Sequence, residues 1–110
     1  MILHICTRQS WEEAAVADEY TGDTLATEGF IHCSTPEQVV EVANYMFKGT
    51  PRLLLLVIDE SKVKNELKYE DAGNGKLYPH IYGSLNLDAV LRAVDFNPGS
   101  DGTFVLPSLE

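Results

Sequence analysis

The sequence predicts a compact single α+β domain over residues 1–110, with two helices in its N-terminal half and several strands, most of them later in the chain. Apolar residues recur at helical spacing from Val39 to Phe47, which indicates one buried helix face. The apolar run LLLLVI at 53–58 has the length of a strand that is covered on both faces. At 66–71 polar and apolar residues alternate, as they do in a half-buried strand.

The first helix is indicated by the residues at its start. Ser10 opens a Ser-x-x-Glu sequence, the capping box in which the serine and glutamate side chains bond backbone N–H groups that the helix leaves exposed. We therefore expect a helix from Trp11 to about Asp18. It would follow a strand at 2–7 and precede a loop at 19–29.

The second helix carries signals at both ends. Thr35 is placed as its N-cap, Pro36 takes the first helical position, where a missing N–H costs nothing, and Gln38 completes a second capping box. Gly49 ends the helix, since glycine readily adopts the left-handed conformation found there. The predicted buried face consists of Val39, Val40, Ala43, Met46 and Phe47.

Turn signals divide the second half of the chain into strands. Glycine, asparagine and proline cluster at 72–76 and 97–102, where we expect loops. The expected strands are 66–71, 77–83, a segment that follows a short turn near 87–89 and ends at 96, and 103–107.

Charge and composition narrow the classes of partner. With 17 acidic and 8 basic side chains the net charge is −9, which repels nucleic acids and anionic membranes. No apolar run is long enough to span a bilayer, and the first residues lack the basic start of a signal peptide. We expect a cytoplasmic protein, a monomer or weak dimer, with reduced cysteines at Cys6 and Cys33 and a small-molecule or nucleotide ligand.

The three histidines of the chain all lie within apolar, strand-like segments. These are ILHIC around His4, FIHCS around His32 and PHIYG around His80. Neutral imidazole serves as a base, a hydrogen-bond donor or a metal ligand, so three rings in one kind of setting predict a shared site. The alternative is that each ring is a satisfied structural side chain. A His-rich metal site is a further possibility, but compact ligand spacings such as H-x-x-x-H are absent and we expect no metal.

Other side chains are candidates for binding or chemistry because of their positions. Ser34 and Thr35 lie where a strand passes into a helix, and hydroxyl and N–H groups at such a start can hold an anion. Arg8 follows the first strand and could meet a phosphate. Glu70 precedes a glycine-rich loop, a common place for working residues. Further candidates are Glu28 and Tyr82. Capping or simple solvation is the alternative for each of these residues.

Three segments, in order, resemble a bacterial family known as domain of unknown function 952. They are the HIC strand followed by Trp11, the segment EGFIHCSTPEQ and the segment PHIYGSLN, and the resemblance covers nearly the whole chain. It implies membership of the ADP-ribosyltransferase superfamily, whose split β-sheet core holds NAD in a central cleft.

The resemblance also implies roles for individual residues. Loss of nicotinamide passes through an oxocarbenium-like state that a carboxylate stabilises, but no glutamate adjoins PHIYG or TFVLP and Glu70 is only a substitute. The site would then be a weak or degenerate transferase, or a non-catalytic binding module. The implied catalytic residues are His4, His32, His80 and Glu70. The implied NAD-binding residues are His4, Thr7, Arg8, Ser34, Thr35 and Tyr82.

Overall fold

The computed structural model describes residues 1–22, 24–71 and 73–109, which form an α+β arrangement of helices and antiparallel strands. No helix within these ranges is long and apolar enough to cross a membrane. The helices are α1 (Arg8–Ala17), α2 (Leu25–Glu28) and α3 (Val39–Met46), with 3₁₀ turns at Glu60–Lys62 and Leu87–Ala89. The strands are β1 (Ile2–Thr7), β2 (Glu19–Tyr20), β3 (Ile31–His32), β4 (Leu53–Ile58), β5 (Glu66–Asp71), β6 (Leu77–Tyr82), β7 (Leu85–Asn86) and β8 (Val90–Phe96).

Strand β4 is the centre of the fold. It lies between β1 and β8 in an antiparallel sheet, and all six of its residues are buried. Its side chains alternate between two hydrophobic cores, as the pleat of a strand requires. The predicted strand with two covered faces is therefore confirmed.

The two cores give the molecule its layers. On one side of the first sheet, α3 packs through Val39 and Ala43, together with Phe104 from the C-terminal segment. On the other side the core is shared with a second sheet, which contributes Ile31 and Ile81. The second sheet therefore has one face on the core and one face turned away from it.

The second sheet has the strand order β3-β6-β5 and is antiparallel throughout. Its register places Ile31 opposite Ile81 on the core side. On the outer side His80 lies directly between His32 of β3 and Lys68 of β5. A two-stranded pair of β2 and β7 completes the strands of the described residues.

A single bridge joins the two larger sheets. Leu3 of β1 and Ser34, two residues beyond β3, exchange backbone hydrogen bonds of 2.8 Å in both directions. The bridge fixes where the second sheet lies against the first.

Helix α1 begins earlier than the sequence predicts. Thr7 is its N-cap, because its extended backbone allows the side-chain oxygen to accept the N–H of Ser10 at 3.0 Å. The expected cap at Ser10 and start at Trp11 are therefore wrong, and β1 passes directly into the helix. The segment 19–29, expected to be a loop, contains β2 and α2.

Helix α3 begins later than predicted, at Val39. Half of the predicted capping box is present, since Gln38 Oε1 accepts the Thr35 N–H at 3.1 Å. The amide of Gln38 also donates to the Leu77 carbonyl at 2.7 Å, which ties this turn to β6. Met46, expected on the buried face, is 63% exposed.

The predicted last strand at 103–107 is wrong. The segment has no ladder partner among the described residues, and its backbone is bonded by a side chain instead: the Phe104 N–H donates to Asn44 Oδ1 at 2.7 Å. Phe104 is nevertheless buried, with its ring stacked on Phe96 at 4.7 Å. Apolar alternation here reflects anchoring to α3 rather than strand pairing.

Both cysteines are free and buried, as predicted. Desolvation raises the pKa of the Cys6 thiol to about 12 and also raises the pKa of Cys33 far above its usual value. Both thiols therefore stay protonated at neutral pH and behave as small apolar side chains.

Gly83 provides a test of the packing between β6 and the segment before β5. Its φ is +144°, and a Cβ there would lie 2.5 Å from Asn65 Nδ2, whose amide donates to the Ser84 carbonyl. We expect Gly83→Ala to lower the free energy of unfolding by about 1–3 kcal/mol. Gly99→Ala is the control: its nearest neighbours are 3.6 Å away, so the change should stay below about 1 kcal/mol in urea denaturation. Equal effects of the two substitutions would contradict this account.

Candidate functional site

The outer face of the second sheet carries polar and aromatic side chains. Because side chains alternate along a strand, Ile31 and Ile81 enter the core while the neighbouring His32 and His80 lie on the opposite face. We call the following group the histidine face: Phe30, His32, Lys68, Glu70, His80 and Tyr82.

Two aromatic rings contact His80, and a third adjoins them. Phe30 stacks on its imidazole with centroids 4.1 Å apart and planes at 18°, and His32 meets it edge-on at 5.3 Å. Phe30 also lies 5.3 Å from the ring of Tyr82. As a result the side chain of His80 is only 8% exposed, although it lies on the outer side of a sheet.

Glu70 fixes the tautomer of the neutral His80 ring. The carboxylate lies 2.9 Å from His80 Nδ1. An ionised carboxylate only accepts, so in the neutral ring the proton is on Nδ1 and the lone pair is on Nε2. The hydroxyl of Tyr82 donates to the same carboxylate oxygen.

These hydrogen bonds also shift the acidity of the group. Two hydrogen bonds lower the pKa of Glu70, because they stabilise its charged form. The bond from Tyr82 has the larger effect and the bond from His80 the smaller one. The same contact raises the pKa of Tyr82. Glu70 is therefore a carboxylate at neutral pH, while Tyr82 keeps its proton.

The other nitrogen of His80 has no partner within residues 1–22, 24–71 and 73–109. No fully buried side-chain nitrogen or oxygen in these ranges lacks a hydrogen bond, so His80 Nε2 must retain some contact with solvent. The structure thus presents a nearly buried imidazole, oriented by a carboxylate, with one lone pair directed outwards.

A second carboxylate–histidine pair borders the first. His32 Nε2 lies 3.1 Å from Glu28 Oε2, one helical turn earlier in sequence, and this leaves its Nδ1 available. The two side chains are 47% and 49% exposed, so solvent weakens the pair. It extends the histidine face but is less rigid than the pair of Glu70 and His80.

His4 lies beneath this site rather than on it. It is buried, its Nε2 is 2.7 Å from the hydroxyl of Tyr20, and its Nδ1 is 2.5 Å from the backbone carbonyl of His32. A carbonyl only accepts, so Nδ1 donates and Nε2 accepts the Tyr20 proton. Both ring nitrogens are occupied, and the ring supports the strand that carries His32.

Four of the predicted ligand-binding residues are placed away from the histidine face. Thr7 and Arg8 lie at the start of α1, where they line an open cavity of about 290 Å³, and Arg8 pairs with Asp95. The backbone of buried Ser34 forms the bridge to Leu3. The backbone N–H of Thr35 donates to Gln38 Oε1 in the turn before α3.

Two cavities near α1 do not include the histidine face. Of the two best-formed cavities of the described residues, one lies at the start of α1 and the other, of about 130 Å³, lies between α1 and the segment after it; neither is lined by His32 or His80. In the same part of the chain, no group of three or more His, Cys, Asp and Glu side chains is placed to hold a metal ion.

Two members of the histidine face were missed in the sequence. Phe30 lies in the segment FIHCS, but nothing in the sequence indicated that it stacks on His80. The ammonium of Lys68 lies 5.0 Å from the centroid of the Tyr82 ring. Lys68 is two residues before Glu70 in β5 and therefore lies on the same face of the sheet. This two-residue spacing was the available signal in the sequence. Only the register of β5 against β6 shows that Lys68 lies beside His80.

The chain has relatives among known sequences and structures. Residues 5–93 match the sequence model of the family described as "Protein of unknown function (DUF952)". The fold is similar to the crystal structure of protein CC0527 from Caulobacter crescentus, with a TM-score of 0.88 and 31% identity over 96% of this chain and 93% of that chain. The solution NMR structure of CC0527 gives 0.81 and 32%, over 93% and 89%. Among curated proteins, none matches this chain.

Glu70→Gln tests the carboxylate–histidine pair through the pH dependence of stability. The pKa of Glu70 is lower in the folded chain than its usual value of 4.5. Its charge therefore stabilises the fold above pH 4.5, and the contribution is lost as the pH falls through the lowered pKa. We expect the variant to be less stable than the parent at pH 7 and the difference to narrow below pH 4.5, measured by urea denaturation. Glu66→Gln, which removes only a 3.7 Å exposed pair with Lys68, should show no such narrowing.

Tyr20→Phe tests the structural role of His4. Removing the hydroxyl takes a donor from a buried ring nitrogen, which should cost about 1–3 kcal/mol of unfolding free energy. Tyr45→Phe, at a residue that is 86% exposed, should change it by less than about 0.5 kcal/mol. A neutral Tyr20→Phe would show that this contact does not support the site.

Proposed function

We infer that this chain, which belongs to the DUF952 family of proteins of unknown function, binds a small molecule on the histidine face and uses His80 to accept a proton from it. One observation carries the proposal. His80 is almost buried, its Nδ1 is held by Glu70, and its Nε2 has no partner among the described residues. Carboxylate–histidine pairs of this kind orient the ring of a general base and stabilise the imidazolium that forms.

The surrounding side chains support this role. Phe30 covers one face of the imidazole and excludes water from it, which strengthens the hydrogen bond to Glu70. When Nε2 gains a proton, the positive charge of the ring lies beside a carboxylate that the Tyr82 hydroxyl also holds in place. The base is thus positioned before any ligand arrives.

NAD or a related nucleotide is the ligand that the resemblance implies, and with it an ADP-ribosyltransferase-like core. In its favour, Phe30 and Tyr82 offer ring faces on which a planar group could stack, and Glu70 offers a carboxylate. Against it, Lys68 is the one fixed cation of the histidine face available to a pyrophosphate. A weak or degenerate site is the form of this proposal that fits the residues.

A non-catalytic binding module is the second candidate. It is favoured because neither cavity near α1 is lined by His32 or His80, whereas enzymes usually enclose a small substrate in a cleft. In that case the rings and carboxylates would contact a ligand without proton transfer.

Nitrogen-15 NMR of labelled histidine tests the proposal. We expect His80 to show a protonated Nδ1 and an unprotonated Nε2 in the neutral ring, and movement of the Nε2 resonance on addition of NAD or ADP-ribose would support the nucleotide form of the proposal. His80→Gln should remove ligand binding without unfolding the chain. Arg8→Gln, at the start of α1, is the matched control and should leave binding unchanged, since Arg8 lies at a separate cavity.

The possible outcomes separate the alternatives. A proton on Nε2 in the neutral ring would contradict the proton-acceptor role, whatever the ligand. Binding that survives His80→Gln would favour the non-catalytic module. Loss of binding in Arg8→Gln alone would move the nucleotide site to the start of α1.

A further inference from the structure

We propose that the ligand of the histidine face is an organic cation that carries N–H donors, such as a protonated amine or a guanidinium group attached to an apolar body. This inference rests on the proposed function and names the chemical class of its ligand. It follows from hydrogen-bonding capacity, charge and ring geometry, which are independent of one another.

The hydrogen-bonding groups available to a ligand are almost all acceptors. His80 Nε2 and His32 Nδ1 carry lone pairs, because the other nitrogen of each ring faces a carboxylate. The second oxygen of Glu70 is unused, since Tyr82 and His80 share the first. The Tyr82 proton is committed to Glu70, so Lys68 is the remaining donor on the face. A ligand must therefore donate to satisfy these atoms.

Negative charges outnumber positive ones around the face. Glu70 lies on it and Glu28 and Glu66 border it, against the single ammonium of Lys68. The whole chain carries a net charge of −9, so its field draws cations towards the surface and repels anions. An amine meets favourable potential both at a distance and on contact, whereas a phosphate meets neither.

The aromatic rings already hold a cation. The ammonium of Lys68 lies 5.0 Å from the centroid of Tyr82, within the range of a cation–π contact. Phe30, 5.3 Å from Tyr82, adds a second ring to this wall. Rings flanked by carboxylates are the arrangement that recognises ammonium groups attached to organic molecules, and bare metal ions gain little from it.

His80 distinguishes this surface from an ordinary cluster of acidic residues. Its side chain is 8% exposed and yet one ring nitrogen has no partner in the described ranges. No fully buried side-chain nitrogen or oxygen of the described residues is unpaired, so this Nε2 reaches the surface and can accept a hydrogen bond from outside. The unpaired Nε2 thus offers an acceptor to a ligand donor, on a ring whose Nδ1 is held by the Glu70 carboxylate.

A matched series of ligands tests the inference. We would titrate labelled protein with benzylamine, benzyl alcohol and benzoate, which share one ring and differ in charge, and follow His80 Nε2 by NMR at pH 7. We expect benzylamine to bind about tenfold more tightly than the alcohol, and benzoate to bind most weakly of the three. Glu28→Gln should weaken benzylamine severalfold and leave the alcohol unchanged. Glu13→Gln, which removes the same charge on α1, is the control and should affect neither.

Each outcome has a defined meaning. If the alcohol or benzoate moves His80 Nε2 at equal or lower concentration than benzylamine, the cationic class is wrong and the proposed small-molecule site stands. Zn²⁺ is then added to the complex with benzylamine. If Zn²⁺ displaces benzylamine and binds more tightly, the face selects a metal ion and the proposed organic cation is wrong. If no ligand moves His80 Nε2 in the folded protein, this inference and ligand binding on the histidine face both fail.

Discussion

The complete burial of β4 is the constraint on which the rest of the structure depends. A strand with no polar side chain to expose must be covered on both faces, so α3 and the C-terminal segment take one side and the second sheet takes the other. The second sheet can then contribute only its inner residues to that core. Its outer face is free to carry groups that contribute nothing to the core, and the histidine face lies there.

His4 connects that core to the site. It occupies a core-facing position of β1 and uses its ring to hold the His32 carbonyl and the Tyr20 hydroxyl. The bridge between Leu3 and Ser34 runs beside it. Two neighbouring contacts thus fix β3 against the first sheet. The position of His32 beside His80 depends on them, although His4 itself offers a ligand no free ring nitrogen.

The sequence predicted strands better than it predicted caps and contacts. The apolar run LLLLVI and the alternation of polar and apolar residues at 66–71 were sufficient to predict two strands, and both strands are present. Such patterns can be read from neighbouring residues alone. Thr7 displaced Ser10 as the cap of α1 because β1 runs straight into the helix, which a local motif does not reveal. The pairing of Glu70 with His80 joins residues ten apart through the register of β5 and β6, so His80 and Glu70 were each recognised but not as a pair. His4, grouped with the other histidines, proved to lie on the opposite side of the strand it supports.

The histidine face combines two demands that usually exclude each other. A base must reach its ligand, yet a hydrogen bond to a carboxylate is strongest where water is excluded. Here Phe30 stacks on one face of the His80 ring and leaves the ring edge that carries Nε2 uncovered. Glu70 therefore holds a nearly buried ring whose Nε2 still contacts solvent. An exposed pair such as Glu28 with His32 has access without this protection. The difference between the two pairs is why His80, and not His32, is the residue on which the proposed chemistry rests.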